Sequence, residues 1–458
     1  MQNPPHLWRR AVTTTNTEEE PLDLLGVGIG PFNLSLAALA DGLPELRTAF
    51  LEQRANFRWH WGMMIEGSTL QVPFLADLVS LVDPTSPWSF LNYMRSRERL
   101  FPLYFAERFH IQRSEYDAYC RWVSERLPGC RFGHTVDTVR WDAGRGAFEV
   151  DFTLVREGGE ASGAGRLFAR NLVLGVGTTP RVPKPLTSLV EDESVPVLHS
   201  ADYLAHRERL LDAEHVTVIG SGQSGAEVFL DLLRRRPVGR EKLTWMTRTS
   251  AFAPMEYSKL GLEHFTPDYT RYFHGLTESV RDQLVPQQWQ LYKAVSGETL
   301  GQIQDELYQR SMHGDWPDAT LTPGVELRSI ERRGDRLELQ VAQREQRETR
   351  FLATDAVVLA TGYAERPAKG LIESLLPHLR TDGAGRPQVD EEHRLVLDEA
   401  IGGSVFVQNA ERHTHGVGTP DLGLAAWRSA VILNSVSAGC AYRLPERTAF
   451  TTFGLSGR

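Results

Sequence analysis

Apolar positions along the chain gather into short, mainly apolar runs, most of them leading into glycine turns, and these runs, rather than strict alternation, organise the sequence. The first, Leu22 to Val27, leads into GVGIGPFN at 26–33, and a helical pattern follows from Leu34 to Leu43. Continuous apolar character marks a strand buried on both faces of a parallel sheet. The order strand, glycine turn, helix then returns. Val216 to Ile219 runs into GSGQSG at 220–225 and a helix from Ala226 to Arg234, and a further strand is predicted at Leu243 to Met246. A third buried run, Ala356 to Leu359, leads into ATGY at 360–363, and Leu172 to Val176 leads likewise into GTTPRVP at 177–183.

Glycines between a strand and a helix let the backbone approach a pyrophosphate, whose charge rests on the free N–H groups of the helix N-terminus. In the first turn the pattern is GxGxxN, with Gly28, Gly30 and Asn33, so the third glycine is absent. A second strand, Thr48 to Leu51, ends in Glu52, about twenty residues on, where an acid takes the ribose hydroxyls of a dinucleotide. A glycine turn without ligand is the alternative. In the second turn Gly220, Gly222 and Gly225 complete GxGxxG, and Arg248 stands after the next strand, where a NAD site usually carries an acid. An arginine there meets a 2′-phosphate and favours NADPH over NADH; a solvated surface arginine is the alternative. Two nucleotide sites in one chain suggest a flavin and its electron donor.

The fold class expected is α/β with two Rossmann-like dinucleotide-binding domains, the NADPH domain inserted in the FAD domain, and a smaller substrate-binding region. The boundaries expected are 21–200 plus 351–445 for the FAD domain and 201–350 for the NADPH domain, with a disordered tail at 1–20 and a C-terminal tail at 446–458.

Composition narrows the partners. The 458 residues carry a formal net charge of −9, which argues against nucleic acid or an anionic membrane as the main partner. Cys120, Cys130 and Cys440 are too scattered for a disulfide framework, a CxxC redox pair or a thiolate metal site. A reducing compartment, the cytoplasm, is expected. No apolar core follows Arg9 and Arg10, so no secretory signal is expected, and the best membrane-span candidate, Leu22 to Ala40, is broken by Gly, Pro31, Asn33 and Ser35.

Several long blocks in order extend the picture: DLLGVGIGPFNLSLAAL at 23–39, FRWHWGMM at 57–64, LQVPFLADLVSLVDPTSPWSFLNYM at 70–94, GSGQSGAE at 220–227, ATGY, and HTHGVGTPDLGLAAWRSAVILN at 413–434. With these the chain resembles the flavin-dependent N-hydroxylating monooxygenases of siderophore biosynthesis, which act on lysine, ornithine or diamines. The resemblance implies bound FAD, NADPH as reductant, molecular oxygen as oxidant and a small aliphatic amine as substrate, which as free base attacks the distal oxygen of a C4a-hydroperoxyflavin. It implies that Gly28, Gly30, Pro31 and Asn33 lie under the FAD pyrophosphate with Glu52 at its ribose. Trp59, His60 and Gln71 would line the isoalloxazine and nicotinamide side. Gly220, Ser221, Gly222, Gln223, Ser224, Gly225, Arg248 and Thr361 would belong to the cofactor sites, with Gln223 and Ser224 holding NADP. A homo-oligomer, dimer or tetramer, is expected. No acid/base pair is assigned.

Bland readings stand beside these: Trp59 as core aromatic, Gln71 as a satisfied buried amide, and His413 with His415 as an alternating strand pair with Glu411 rather than metal ligands. No metal is expected.

One departure bears on the substrate. Amino-acid hydroxylases of the family carry a lysine in the block FLKDL, where its ammonium pairs with the substrate carboxylate; this chain reads FLADL, with Ala76. A buried carboxylate without its partner costs roughly 3–5 kcal/mol. The serine of ornithine hydroxylases is replaced by Gly423. Asp421, in TPDLGL, is left to accept a diamine's ammonium, with Leu422 and Gly423 beside it, unless it caps the helix starting near Leu422. The sequence thus points to the diamine branch, with putrescine, cadaverine or a shorter diamine as substrate. Lysine or ornithine hydroxylation through another carboxylate partner, Lys293 or Arg95, is the alternative.

Overall fold

The computed structural model describes residues 20–455 apart from 157, 313 and 438, so the N-terminal tail expected at 1–20 lies outside the described residues except for Glu20. Two sheets carry the architecture. The first runs in the order Cys130–Phe132, Thr48–Glu52, Leu22–Val27, Ala161–Leu174, Ala147–Val155, His134–Asp142, and Ser404–Val407 also pairs with Ala161–Leu174. Its nucleotide half is parallel and its far half is an antiparallel meander. One long strand joins the halves: Ala161–Leu174 is antiparallel to Ala147–Val155 along its start and parallel to Leu22–Val27 at its end.

The second sheet is wholly parallel, in the order Ala319–Thr322, Leu243–Met246, Val216–Ile219, Ala356–Leu359, Val197–His199. All four residues of Val216–Ile219, of Leu243–Met246 and of Ala356–Leu359 are buried, as continuous apolar runs require when both faces are covered. Strands Val197–His199 and Ala356–Leu359 fall in this sheet, whereas the sequence boundaries at 200 and 350 assign them to the first domain. An unbroken apolar strand needs a parallel neighbour on a fully covered sheet, and Val216–Ile219 supplies it. A separate antiparallel sheet, Val325–Arg333, Arg336–Gln343 and Glu348–Thr354, lies between the strands of the second unit in sequence.

The two units join through a pair of connectors. Thr178–Pro180 leaves the first sheet, Tyr363–Glu365 leaves the second, and they pair antiparallel to each other. A second join is apolar: Met63 and Ile65, from the first half, are buried in the core of the second unit with Val216, Phe229 and Leu233.

Helix Pro31–Ala40 has proline at its first position, which is pre-set for helix and lacks only a donor the helix start leaves unused. Nine of its ten residues are buried, so it is enclosed on all sides rather than amphipathic. Helix Ala425–Val436, near the C-terminus, packs against it, and Ser429 Oγ lies 3.1 Å from Ser35 Oγ.

The expected C-terminal tail is docked as far as it is described. Asp268 accepts from the backbone of Thr448 and Ala449, Glu263 accepts from Phe450 and Thr451, and the Phe453 ring meets Tyr269 at 5.0 Å. Two buried or half-buried acids provide the acceptors that fix this segment, a signal that no local sequence pattern carries.

Candidate functional site

The two glycine turns open onto one cavity of about 1440 Å³ between the units. A single small-molecule site commonly encloses roughly 300–1000 Å³, so there is room for more than one ligand. Gly30 and Gly222 stand at the N-caps of helices Pro31–Ala40 and Gln223–Arg235, and neither helix has a side-chain cap. The first N–H groups of both helices are thus left without a side-chain acceptor, the arrangement that takes a phosphate.

Backbone geometry explains the glycines. Gly28 has φ +88°, and a Cβ there would lie 2.5 Å from the Gly175 carbonyl oxygen; Gly220 has φ +136°, and its Cβ would fall 2.1 Å from the Ala360 carbonyl oxygen. Around the Cβ position of Gly30 there is nothing within 4 Å, so the space above the first helix is open. Gly225 does not line the cavity. Its Cβ would lie 2.6 Å from the Gly220 oxygen, so it lets the helix close on the strand.

Pro31, Asn33 and Glu52 also line the cavity. The Glu52 carboxylate accepts from the Ile29 and Arg54 N–H groups at 3.0 Å each, which fixes it at the end of the second strand. Asn33, in the place of the missing third glycine, is buried; its Nδ2 donates to the Val27 and Gly28 carbonyls at 3.1 and 2.8 Å. Asn33 therefore braces the turn from below.

Trp59, His60 and Gln71 share the wall. The Trp59 ring meets His60 and Tyr116 edge-on at 5.0 and 5.1 Å. His60 holds a left-handed backbone, φ 45°, at the start of the short turn Trp61–Met63. Although His60 is exposed to the open cavity, crowding by the surrounding walls pushes its pKa down to about 4, with the Arg113 and Arg54 charges adding to the effect, so the ring is neutral near pH 7. The satisfied-amide reading of Gln71 fails, because its Nε2 is buried with no hydrogen-bond partner.

On the second turn, Ser221, Gly222, Gln223 and Ser224 reach the cavity, but the Gln223 amide is committed within its own unit. Its oxygen accepts from the Ser296 N–H at 2.8 Å, and its nitrogen donates to Glu227 and Thr299 at 2.8 and 2.9 Å. Arg248 is exposed on the cavity wall, and Lys293, Arg181 and Arg412 line the same wall. Burial and these three arginines lower the Lys293 pKa, so the four cations form one positive field. Thr361 lines the cavity and donates to the Arg181 carbonyl.

Of the substrate candidates, Leu422 lines the cavity, while Ala76, Asp421 and Gly423 do not. A Cβ on Gly423 would lie 2.8 Å from Asp421 Oδ1 and 3.9 Å from the Ala76 Cβ, so Gly423 stands next to both. Asp421 caps the short turn Leu422–Leu424 through Oδ1, which accepts from Gly423 N at 2.7 Å. Desolvation raises its pKa to about 6, partly opposed by the Gly423 N–H and Arg428. Arg95 is exposed on helix Phe90–Ser96 and is not part of the wall, unlike Lys293.

His413 and His415 are not alternating strand positions: residues Arg412–His415 make one helical turn. His413 Nε2 meets the Pro387 carbonyl at 2.7 Å, whereas His415 is fully buried and stacks on His393 at 4.2 Å. Glu411 lies 3.1 Å from the buried Arg428 guanidinium. Among the described residues no group of three or more His, Cys, Asp or Glu side chains is placed to hold a metal.

Sequence reasoning missed Gln408, Arg113 and Glu227. Gln408 lines the cavity and donates to Asn33 Oδ1, and the other two form an ion pair behind the wall. GSGQSGAE contains Glu227, but its partner is more than a hundred residues away, so spacing gave no signal.

The residues present fit a flavin dinucleotide and a nicotinamide dinucleotide. Two helix starts without side-chain caps, open space over Gly30, an orphaned Gln71 donor and an exposed Arg248 on the wall are groups that such ligands satisfy.

Comparison with known proteins gives concordant results. A family profile described as L-lysine 6-monooxygenase/L-ornithine 5-monooxygenase matches residues 20–365. The rhizobactin siderophore biosynthesis protein RhbE of Rhizobium meliloti is 42% identical over 442 residues, 94% of this chain and 95% of that one. A putrescine N-hydroxylase of Shewanella oneidensis is 40% identical, covering 94% of this chain and 84% of the relative. The crystal structure of DfoA, the desferrioxamine pathway cadaverine monooxygenase of Erwinia amylovora, bound to FAD, superposes with a TM-score of 0.89 at 37% identity, covering 96% of this chain and all of that one.

Proposed function

From the premise that the chain belongs to the L-lysine 6-monooxygenase/L-ornithine 5-monooxygenase family, we propose that it N-hydroxylates one primary amine of an aliphatic diamine, putrescine, cadaverine or similar, in hydroxamate siderophore biosynthesis. It is an FAD-dependent, NADPH-dependent monooxygenase. The relatives named for putrescine and cadaverine, similar over more than nine-tenths of this chain, support the diamine substrate. The observation that carries it is Gly423 with Ala76 on one side and Asp421 on the other, next to the cavity-lining Leu422, which offers an acid and no lysine.

With NADPH as reductant, a bound FAD would supply the oxygen-activating chemistry, one atom of O2 going to the amine nitrogen and the other to water. The chain's own residues bind and orient. The two helix N-termini take the pyrophosphates, Glu52 takes the flavin ribose, and Arg248 within the cationic wall takes the 2′-phosphate. Trp59, neutral His60 and Gln71 form the wall where the cofactor rings meet, and keep water from it. Asp421 accepts the ammonium at the far end of the diamine.

The reacting amine must be neutral. With a pKa near 10.4, only about one molecule in 2,500 is free base at pH 7, a cost of roughly 4.6 kcal/mol. A desolvating cavity offsets part of that cost by disfavouring the ammonium at the reacting end.

We place the protein in the cytoplasm, a reading supported by three cysteines that are all unpaired, and assemble it as a homo-oligomer, dimer or tetramer. The exposed Phe101, Tyr104 and Phe105 on helix Leu100–Ala106 offer an apolar face for that assembly. No helix among the described residues is long and apolar enough to cross a membrane. The test of function is a panel of C3 to C5 diamines beside lysine and ornithine, read as amine-dependent hydroxylamine formation. A kcat/KM favouring a diamine is expected; preference for an amino acid overturns the diamine reading.

A further inference from the structure

The two units are joined behind the cavity wall by one buried, two-pronged ion pair. Arg113 is the first residue of helix Arg113–Ser124 in the first unit, and its two terminal nitrogens donate to the two oxygens of Glu227 at 2.7 Å each. Glu227 is on the nucleotide helix Gln223–Arg235, and the side chains are only 13% and 7% exposed. Parallel two-point geometry fixes direction as well as distance, because both partners are planar forks.

What lies on either side of the pair gives it a role. On the Glu227 side, one helical turn back, Gln223 donates to the same carboxylate and holds Ser296 and Thr299. The start of the nucleotide helix therefore hangs from Glu227. On the Arg113 side, the Arg113 N–H donates to the Ser68 carbonyl at 3.0 Å, and Leu70 N–H donates to Ile111 at 2.8 Å, so the segment leading to Gln71 is tied to the same helix. Its guanidinium also acts on His60 and Tyr363, both in the cavity wall. A single chain of contacts thus runs from the flavin-side wall through Arg113 and Glu227 to the second glycine turn.

We infer that Arg113 and Glu227 are positioning residues for hydride transfer, holding the nicotinamide site at a fixed distance and angle from the flavin site. This rests on the NADPH-dependent flavoenzyme reading. Neither side chain touches the reacting atoms. The effect arises because hydride transfer demands close approach, and a misplacement of about 1 Å costs on the order of a hundredfold in rate. The apolar join at Met63 and Ile65 keeps the units together when the pair is broken, so loss of the pair alters alignment rather than assembly.

The test is anaerobic reduction of the FAD-loaded enzyme by NADPH, followed by flavin absorbance, in Arg113→Met, Arg113→Lys, Glu227→Gln and the Arg113→Met/Glu227→Gln double variant. The limiting rate per bound flavin is expected to fall about tenfold or more in Arg113→Met and Glu227→Gln, with the NADPH dissociation constant and FAD occupancy near native. Arg113→Lys, which keeps the charge but loses the fork, is expected to fall severalfold, and it remains informative if the other variants do not fold. The double variant should be no slower than the slower single one, since both break one contact. Limiting rates within about twofold of native, or single effects that multiply in the double variant, overturn the inference. A native enzyme that NADPH reduces but that hydroxylates no amine overturns the functional reading instead and leaves this inference standing.

Discussion

Gln408 Nε2 donates to Asn33 Oδ1 at 2.9 Å across 375 residues of sequence, and through this bond the C-terminal strand Ser404–Val407 braces the first glycine turn. Both side chains are 1% exposed. The third glycine of the usual pattern is replaced by an amide that bonds two turn carbonyls and receives a bond from the far end of the chain. The Gly175 Cβ position lies 2.5 Å from Asn33 Nδ2, so the crossing strand must be glycine for the amide to fit.

Asn33→Ala should therefore weaken the turn. It leaves the Gly28 carbonyl and the Gln408 donor without this partner, at a cost of about 1–3 kcal/mol for each buried group left unsatisfied, while the Val27 carbonyl keeps its bond from the Gly175 N–H at 2.9 Å. Loss of FAD content at equal protein, with a lower denaturant midpoint, is the expected result. Gly175→Ala should do the same by steric conflict.

Arg248→Ala should lose about 1.5–3 kcal/mol of NADPH binding, the range of a charged hydrogen bond. NADH lacks the 2′-phosphate and should be little affected. Flavin reduction titrated with both cofactors checks this; an equal loss for the two would show that Arg248 does not meet the phosphate.

Ala76→Lys should reverse preference at the substrate end. Its ammonium, about 4 Å from a bound diammonium end, opposes that end by roughly 4 kcal/mol at an effective dielectric of 20, before solvent relaxation reduces the figure. The kcat/KM ratio of diamine over amino acid should fall sharply, while any ornithine or lysine activity holds or rises. An unchanged ratio would remove Ala76 from the recognition shell.

Asp421 gives this site a pH dependence of known sign. Burial raises its carboxyl pKa to about 6, so it is ionised, and able to hold an ammonium, only above that pH. The diamine KM should rise as pH falls through about 6, and Asp421→Asn should raise KM above that pH, where the native acid is ionised, and flatten the profile. A profile identical in native and Asp421→Asn proteins would show that another group holds the ammonium.

Stability should follow a second acid-side dependence. His393 and His415 stack at 4.2 Å, fully buried beside Glu411, Arg428 and His274, and burial with the nearby cations holds both pKa values well below normal. The unfolded chain binds their protons near pH 6.5 and the folded chain does not, so stability from this source is intact above about 6.5 and declines as pH falls below it. Tm measured from pH 7.5 to 5 should drop, and His415→Gln should lessen the slope.

The sequence by itself determined the two glycine turns, the strands that feed them, the family to which the chain belongs and the Ala76 departure, because each is written in a few adjacent residues under local backbone rules. Gly28 and Gly220 must be glycine wherever the rest of the chain goes, since their φ values demand it. Tertiary structure alone decided what adjacency cannot encode. Ala356–Leu359 reads as a buried strand in isolation, but which sheet receives it depends on pairing with Val216–Ile219, and that pairing moved the boundary of the second unit. Gln223 was legible as a residue of the second glycine turn, but the partners of its amide, Ser296, Thr299 and Glu227, were supplied by the fold. Asp421, on the same grounds, was legible as a cap and as an acid, but its raised pKa comes from the walls closed around it. Residues 446–455 looked like a tail because their binding partners, Asp268 and Glu263, are about 180 residues distant. Long-range pairing is a property of packing, in which the free energy of burial selects partners that no local pattern names.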